Sequence, residues 1–223
     1  MDRVVRVRTT EELWSTLRVA GRPLITFKKG DRIAGATGMA LRSGYSYLLA
    51  EDPGTAMDPA FEPELTPAEM LLLGVFEGKY LNDCVGEFPA EWFIGALTLG
   101  RLSPEGPNPE RCNFFGIKSR QPLSVWRENG WTATRGFRRR TGLAREAILS
   151  SPTRNPDERG WFQWYCRYWM GRRIPELDAV QISRWRSFRR HAGSVRAFCR
   201  RGDLSCYPRE RQALLQWAYN PFI

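Results

Sequence analysis

Residues 161–173, WFQWYCRYWMGRR, carry six aromatic rings and three arginines in thirteen positions, and this stretch restricts the fold more than any other. On a helix, Trp161, Tyr165, Tyr168 and Trp169 share one side. Phe162, Cys166 and Trp169 share the next, and Gln163, Arg167 and Met170 the remaining one. Nearly the whole circumference must then be buried or engaged, which predicts a central core helix with other elements packed around it. Gln163 and Arg167 need partners there, because a buried guanidinium without one costs about 3–5 kcal/mol. Those partners are structural acids or a ligand.

The rest of the chain predicts an α+β fold, with a small N-terminal antiparallel sheet and a larger helical body. It reads as a single domain over 1–223, with 1–60 the β-rich part and 61–223 the helical body. A length of 223 residues with 42% hydrophobic and 26% charged residues suits one sizeable core. No apolar run approaches the ~18 residues of a membrane span, and the start, MDRVVRVRTTEELW, has no secretory pattern. The expectation is a cytoplasmic protein with no membrane partner.

Residues 9–19 read as a short helix capped by Thr9 or Thr10, with Glu11 and Glu12 in its first turn. In PLITFKKGDRIAGATGMALRSGYSYLLA, turns at Lys29-Gly30-Asp31 and Ser43-Gly44 separate β-favouring pieces and predict three strands. Thr66-Pro67-Ala68-Glu69 is a capping box with Pro at the first helical position, predicting a helix that runs on to Asp83. On that helix Gly74 and Gly78 would lie one turn apart, open to close approach. Further helices are predicted after Pro89, over 122–129, after the cap Asn155-Pro156-Asp157-Glu158, from Pro175 through QISRWRSFRRH, and over RERQALLQWAY. Residues 101–111 read as a flexible surface loop and 135–145 as a basic loop.

The net charge is +10, and residues 151–223, with fourteen arginines and six acids, hold +8 of it. Such a field attracts phosphates, whether on nucleic acid or on a small anion. Five cysteines, odd in number and widely spaced, predict reduced thiols. With a single histidine and no C-x-x-C pair, neither a metal nor a cofactor is expected. Cys199, beside Arg200 and Arg201, is a candidate low-pKa nucleophile, against the plainer reading of an inert thiol.

Three groups of residues can carry chemistry. Arg167, Arg172, Arg173, Arg184 and Arg190, supported by Gln163, Arg200 and Arg201, can hold phosphates, with Trp161 or Trp164 stacking a base. The helix beyond Pro175 sets Ser183, Arg184, Ser187, Arg190 and His191 opposite an apolar stripe of Ala179, Ile182, Trp185, Phe188 and Ala192. His191 titrates near neutrality and can act as acid or base. Glu77, Lys79, Tyr80, Asn82 and Asp83 form a dense polar cluster suited to proton transfer. GVFEGK is not a phosphate loop, since three rather than four residues separate its glycines and Tyr80 follows Lys79.

The blocks LTPAEMLLLGVFEGKYLNDC, GWFQWYCRYWMGRR and RERQALLQWAY resemble those of an uncharacterised protein family, over most of the chain from Leu65 onward. The resemblance brings no activity and no functional residue. The reading from the residues is a nucleic-acid-binding protein (DNA or RNA), which can extend to a modifying or processing factor. One alternative is an enzyme on a small phosphorylated or carboxylated substrate, with Glu77, Lys79, Tyr80, Asp83 or His191 moving the proton. Another is a non-enzymatic interaction subunit that docks a partner on its aromatic helix.

Overall fold

Thr9 caps the first helix, α1 (Thr10–Ala20), by accepting a hydrogen bond from the Glu12 amide at 3.1 Å, and Leu13 and Leu17 form its buried face. A computed structural model of the chain describes residues 7–35, 45–118, 120–122, 124–125, 144–149, 151 and 153–223. Strands β1 (Arg32–Ala34) and β2 (Ser46–Leu48) pair antiparallel with Ile33 opposite Tyr47, and both of these side chains turn into the core. The first β-favouring piece is not a strand. Leu24–Thr26 is a 3₁₀ turn, so the described sheet has two strands rather than three. The Ser43-Gly44 turn, most of the 122–129 helix and nearly all of the 135–145 basic loop lie outside the described residues.

Helix α2 (Pro67–Leu72) begins with the expected capping box, Thr66 Oγ1 accepting from the Glu69 amide and Glu69 Oε2 from the Thr66 amide. It stops far short of Asp83. Gly74, Phe76, Glu77, Gly78 and Leu81 all have positive φ, and Val75–Gly78 is a 3₁₀ segment. Tertiary hydrogen bonds replace the helical ones. The Glu77 amide donates to Asn113 Oδ1, while the carbonyls of Leu73, Glu77 and Gly78 accept from the amides of Phe114, Asn108 and Ser103. Gly74 permits this approach, since a Cβ there would sit 1.7 Å from the Cys112 carbonyl oxygen. The close backbone contact expected at the two glycines therefore exists, but on an irregular segment.

The partner in that contact is the segment predicted to be a flexible loop. It contains α4 (Pro109–Cys112), buries Leu102 and is tied to α1, where Glu105 accepts from both the amide and the hydroxyl of Thr10. Before it comes α3 (Ala90–Thr98), starting after Pro89 as expected. After it, α5 (Ala144–Leu149) leads to the aromatic helix α6 (Trp161–Trp169).

Helix α6 is the centre of the core, with every residue from Trp161 to Tyr168 buried. Phe61 meets Trp164, Tyr165, Tyr168 and Trp185 edge to face, at 4.9–5.6 Å between ring centroids. The predicted cap before α6 is absent. Gly160 occupies the N-cap position with no side-chain hydrogen bond, and Asp157 is turned inward. Helices α7 (Pro175–Ser187) and α8 (Arg189–Phe198) are separated only at Phe188, and α9 (Pro208–Gln216) closes the helical body. The hydrophobic cluster runs from Val7 in the N-terminal segment to Tyr219 after α9.

Cys199 and Cys206 form a disulfide across the α8–α9 turn, which overturns both the reduced-thiol expectation and the nucleophile candidate at Cys199. The seven-residue separation hid this pairing among patterns associated with other uses of cysteine. Arg211, fully buried, donates to the carbonyls of Asp203 and Cys206 and holds the turn from beneath. Replacing both cysteines with serine is expected to cost about 2–3 kcal/mol through the freed loop entropy. Urea midpoints with and without reductant check this, and a wild-type midpoint indifferent to reductant would count against it.

Candidate nucleic-acid interface

The arginines expected to hold phosphate divide into a buried set and an exposed set. Arg167 and Arg172 are buried, 1% and 2% exposed, and acids already occupy them. Arg167 pairs with both oxygens of Glu87, at 2.5 and 3.1 Å, and with Asp157 at 2.9 Å. Arg172 takes both Asp157 oxygens, at 2.7 and 2.6 Å. Tyr45 and Tyr47 lie near both guanidiniums. Thus the need for partners foreseen for Arg167 is met by acids, and in this state the pair has no access to a ligand phosphate.

The stacking candidates are core rings. Trp161 and Trp164 are 3% and 0% exposed, and the Trp164 indole donates to Asp178 Oδ1. Neither ring presents a face to a base, because Tyr165, Tyr168 and Trp217 pack against them. Gln163 is buried and accepts from the Arg159 amide. Arg173 donates to the carbonyls of Thr55, Ala56, Tyr168 and Arg172, joining the 50s loop to the end of α6. Arg184 bonds Gln181 and lies over Trp217, whereas Arg190 is exposed and donates to the Ser187 carbonyl.

The polar cluster is likewise embedded. The 3₁₀ segment and the residues after it lean on α6 through Phe76, Tyr80 and Phe162. Asp83 is held by both Arg159 Nη atoms, one of which also reaches Cys84 Sγ. Burial alone would raise the Asp83 carboxyl, but the Arg159 hydrogen bonds outweigh it and keep the group below the usual carboxylate range. Burial pushes the Tyr80 hydroxyl and the Cys84 thiol well up, so neither ionises readily. Glu77 is buried and accepts from the Arg120 amide. Lys79 donates to the Pro104 carbonyl, and burial lowers its pKa. His191 stacks on Phe188, with burial and then Arg190 lowering its pKa. No hydrogen bond, ion pair or ring contact among the described residues joins His191 to Glu77, Lys79, Tyr80 or Asp83. The structure therefore does not bring the two clusters together through any direct contact.

The exposed set lies on α7, α8 and α9. Among the described residues, Arg186, Arg189, Arg190, Arg196, Arg200, Arg201 and Arg209 are exposed, and no ion pair engages any of them. In the same region Phe198 is 71% and Tyr207 38% exposed, and their rings stack at 5.9 Å and 10°. The Cys199–Cys206 disulfide fixes the chain between these two rings, with Arg200 and Arg201 in the turn. Sequence reasoning missed Arg186, Arg189, Arg196, Phe198 and Tyr207. The separations of three, seven and four between Arg186, Arg189, Arg196 and Arg200 were the available signal, since they return to one helical face.

A cleft of ≈ 520 Å³ opens beside this face. Arg186, Arg189 and Arg196 line it together with Glu62 and Glu64 from the connector before α2, and Trp185 and Tyr219. The last two rings are parallel at 4.9 Å, and Tyr219 donates to the Trp185 carbonyl. Burial pushes the Tyr219 hydroxyl up to about 12. Arg189 opposes that shift, Glu64 adds to it and Arg186 opposes it, so these charges converge on one point. Among the described residues, no group of three or more His, Cys, Asp or Glu side chains could hold a metal ion, and no helix is long and apolar enough to cross a membrane. Comparison with protein-family models, curated proteins and solved structures finds no match for this chain.

Proposed function

We propose that the protein binds nucleic acid along the exposed face of α7, α8 and α9, and prefers single strands. The observation that carries this reading is the group of exposed arginines lacking acidic partners, placed beside an open, disulfide-framed aromatic pair. Guanidiniums free of acids are available to phosphate oxygens, and an exposed aromatic face takes an unpaired base whatever its identity. Duplex DNA hides its base faces, so Phe198 and Tyr207 favour a single strand. The arginines that fill the interior do a different job, neutralising buried acids.

Fluorescence anisotropy of labelled single- and double-stranded DNA and RNA over a salt series tests the reading. Affinity for single strands is expected to fall steeply with salt, and Arg189→Ala with Arg196→Ala should reduce the log–log slope by about 1.4, near 0.7 per phosphate lost. Phe198→Ala should weaken single-strand binding by about 1–3 kcal/mol and duplex binding much less. Absence of binding at low salt, or a slope near one that the double variant leaves unchanged, would overturn the proposal.

A further inference from the structure

Resting on the nucleic-acid reading, we infer that the cleft between Glu62 and Arg196 is a guanine-nucleotide pocket. In it, Arg189 and Arg196 hold the phosphate and Glu62 accepts from the Watson–Crick edge of the base. Its ≈ 520 Å³ lies within the ~300–1,000 Å³ of small-ligand sites. Opposite charges line this one space without closing on each other, since none of the ion pairs among the described residues joins Glu62 or Glu64 to Arg186, Arg189 or Arg196. Arg186 reaches the Ala60 carbonyl instead, and Glu64 accepts from the Asn220 amide. Glu62 is exposed, and no hydrogen bond or ion pair engages it among the described residues.

Two carboxylates disfavour a simple anion, so the ligand that fits must bring hydrogen-bond donors as well as a phosphate. A carboxylate accepts best from two adjacent N–H groups. Guanine offers that pair at N1 and N2. Adenine and cytosine place a lone pair beside their amino group, and uracil and thymine have one N–H between two carbonyls. Trp185, 7% exposed, lines the same cleft with an indole N–H that has no acceptor, and guanine O6 is an acceptor of the kind it lacks. Splayed bases of single strands are read on this edge. The same chemistry serves a free guanosine monophosphate or a guanine within a strand.

The full chain and its Glu62→Gln variant are titrated with the four free nucleoside 5′-monophosphates, and with oligothymidylates carrying one central guanine or adenine. Guanosine monophosphate binding at least about ten-fold tighter than the adenosine form, with the preference abolished in E62Q, supports a free-nucleotide pocket. The same ten-fold preference seen only in oligonucleotides, and lost in E62Q, supports a strand-borne base. Oligothymidylates that bind with a steep salt slope but do not distinguish guanine from adenine overturn the pocket and leave the strand-binding reading standing. A guanine preference that E62Q retains also overturns it. If no strand binds while guanosine monophosphate does so in a Glu62-dependent way, the pocket stands and the strand-binding reading falls. Arg189→Ala with Arg196→Ala should weaken the bound guanine nucleotide in either supporting case.

Discussion

Asp157→Ala is expected to remove about 3–5 kcal/mol of folding stability, because it leaves Arg172 and part of Arg167 charged, buried and unpaired. Asp157 is 0% exposed, and its two oxygens receive three of the network's hydrogen bonds. A protein of this size holds ~5–15 kcal/mol in all, so the variant should melt roughly 6–20 °C lower or fail to fold. Arg154→Ala is the control. Its 3.8 Å pair with Glu176 is exposed, and losing it should cost under about 1 kcal/mol. Thermal melts followed by near-ultraviolet circular dichroism compare the two, and equal midpoints would mean that the network relaxes without cost.

The same carboxylate sets an acid limit. Burial by itself pushes Asp157 up, but Arg172 and Arg167 outweigh burial and hold it below the usual range. A depressed folded pKa contributes stability that is complete above the unfolded value of about 3.9 and is lost as pH falls through the lower folded value. The wild-type melting midpoint should therefore fall below about pH 4, and Asp157→Asn should show a flatter acid limb.

Gly171→Ala is expected to be comparably damaging, at about 3 kcal/mol or more, for a backbone reason. Gly171 has φ +103, and a Cβ there would lie 1.9 Å from the Glu51 carbonyl oxygen. Its own carbonyl accepts from the Ala50 and Glu51 amides at 2.8 and 3.2 Å, so this turn fastens the end of α6 to the chain after β2. The clash is with backbone, which cannot rotate aside as a side chain can. Gly202→Ala separates the two effects. Its φ is +84 with nothing within 4 Å, so only the conformational cost of about 1 kcal/mol applies. Similar urea midpoints for both variants would show that the α6 turn can shift.

What the sequence determined by itself is local. The caps at Thr9 and Thr66, and the prolines at 67, 175 and 208 that open helices, work through groups a few residues apart. The burial of α6 was equally legible, because six rings in thirteen positions leave a helix no solvent face. The candidate site was mostly not. Arg167 and Arg186 are the same residue type on helices, yet one neutralises Glu87, eighty positions away, and the other opens to solvent. The sign of a charge is written in the sequence, but its availability depends on which distant acid the fold brings to it. The end of α2 shows the same dependence. Residues 74–83 have the composition of a helix, and only the docking of residues 103–114 supplies the hydrogen bonds that make a left-handed, irregular path more favourable.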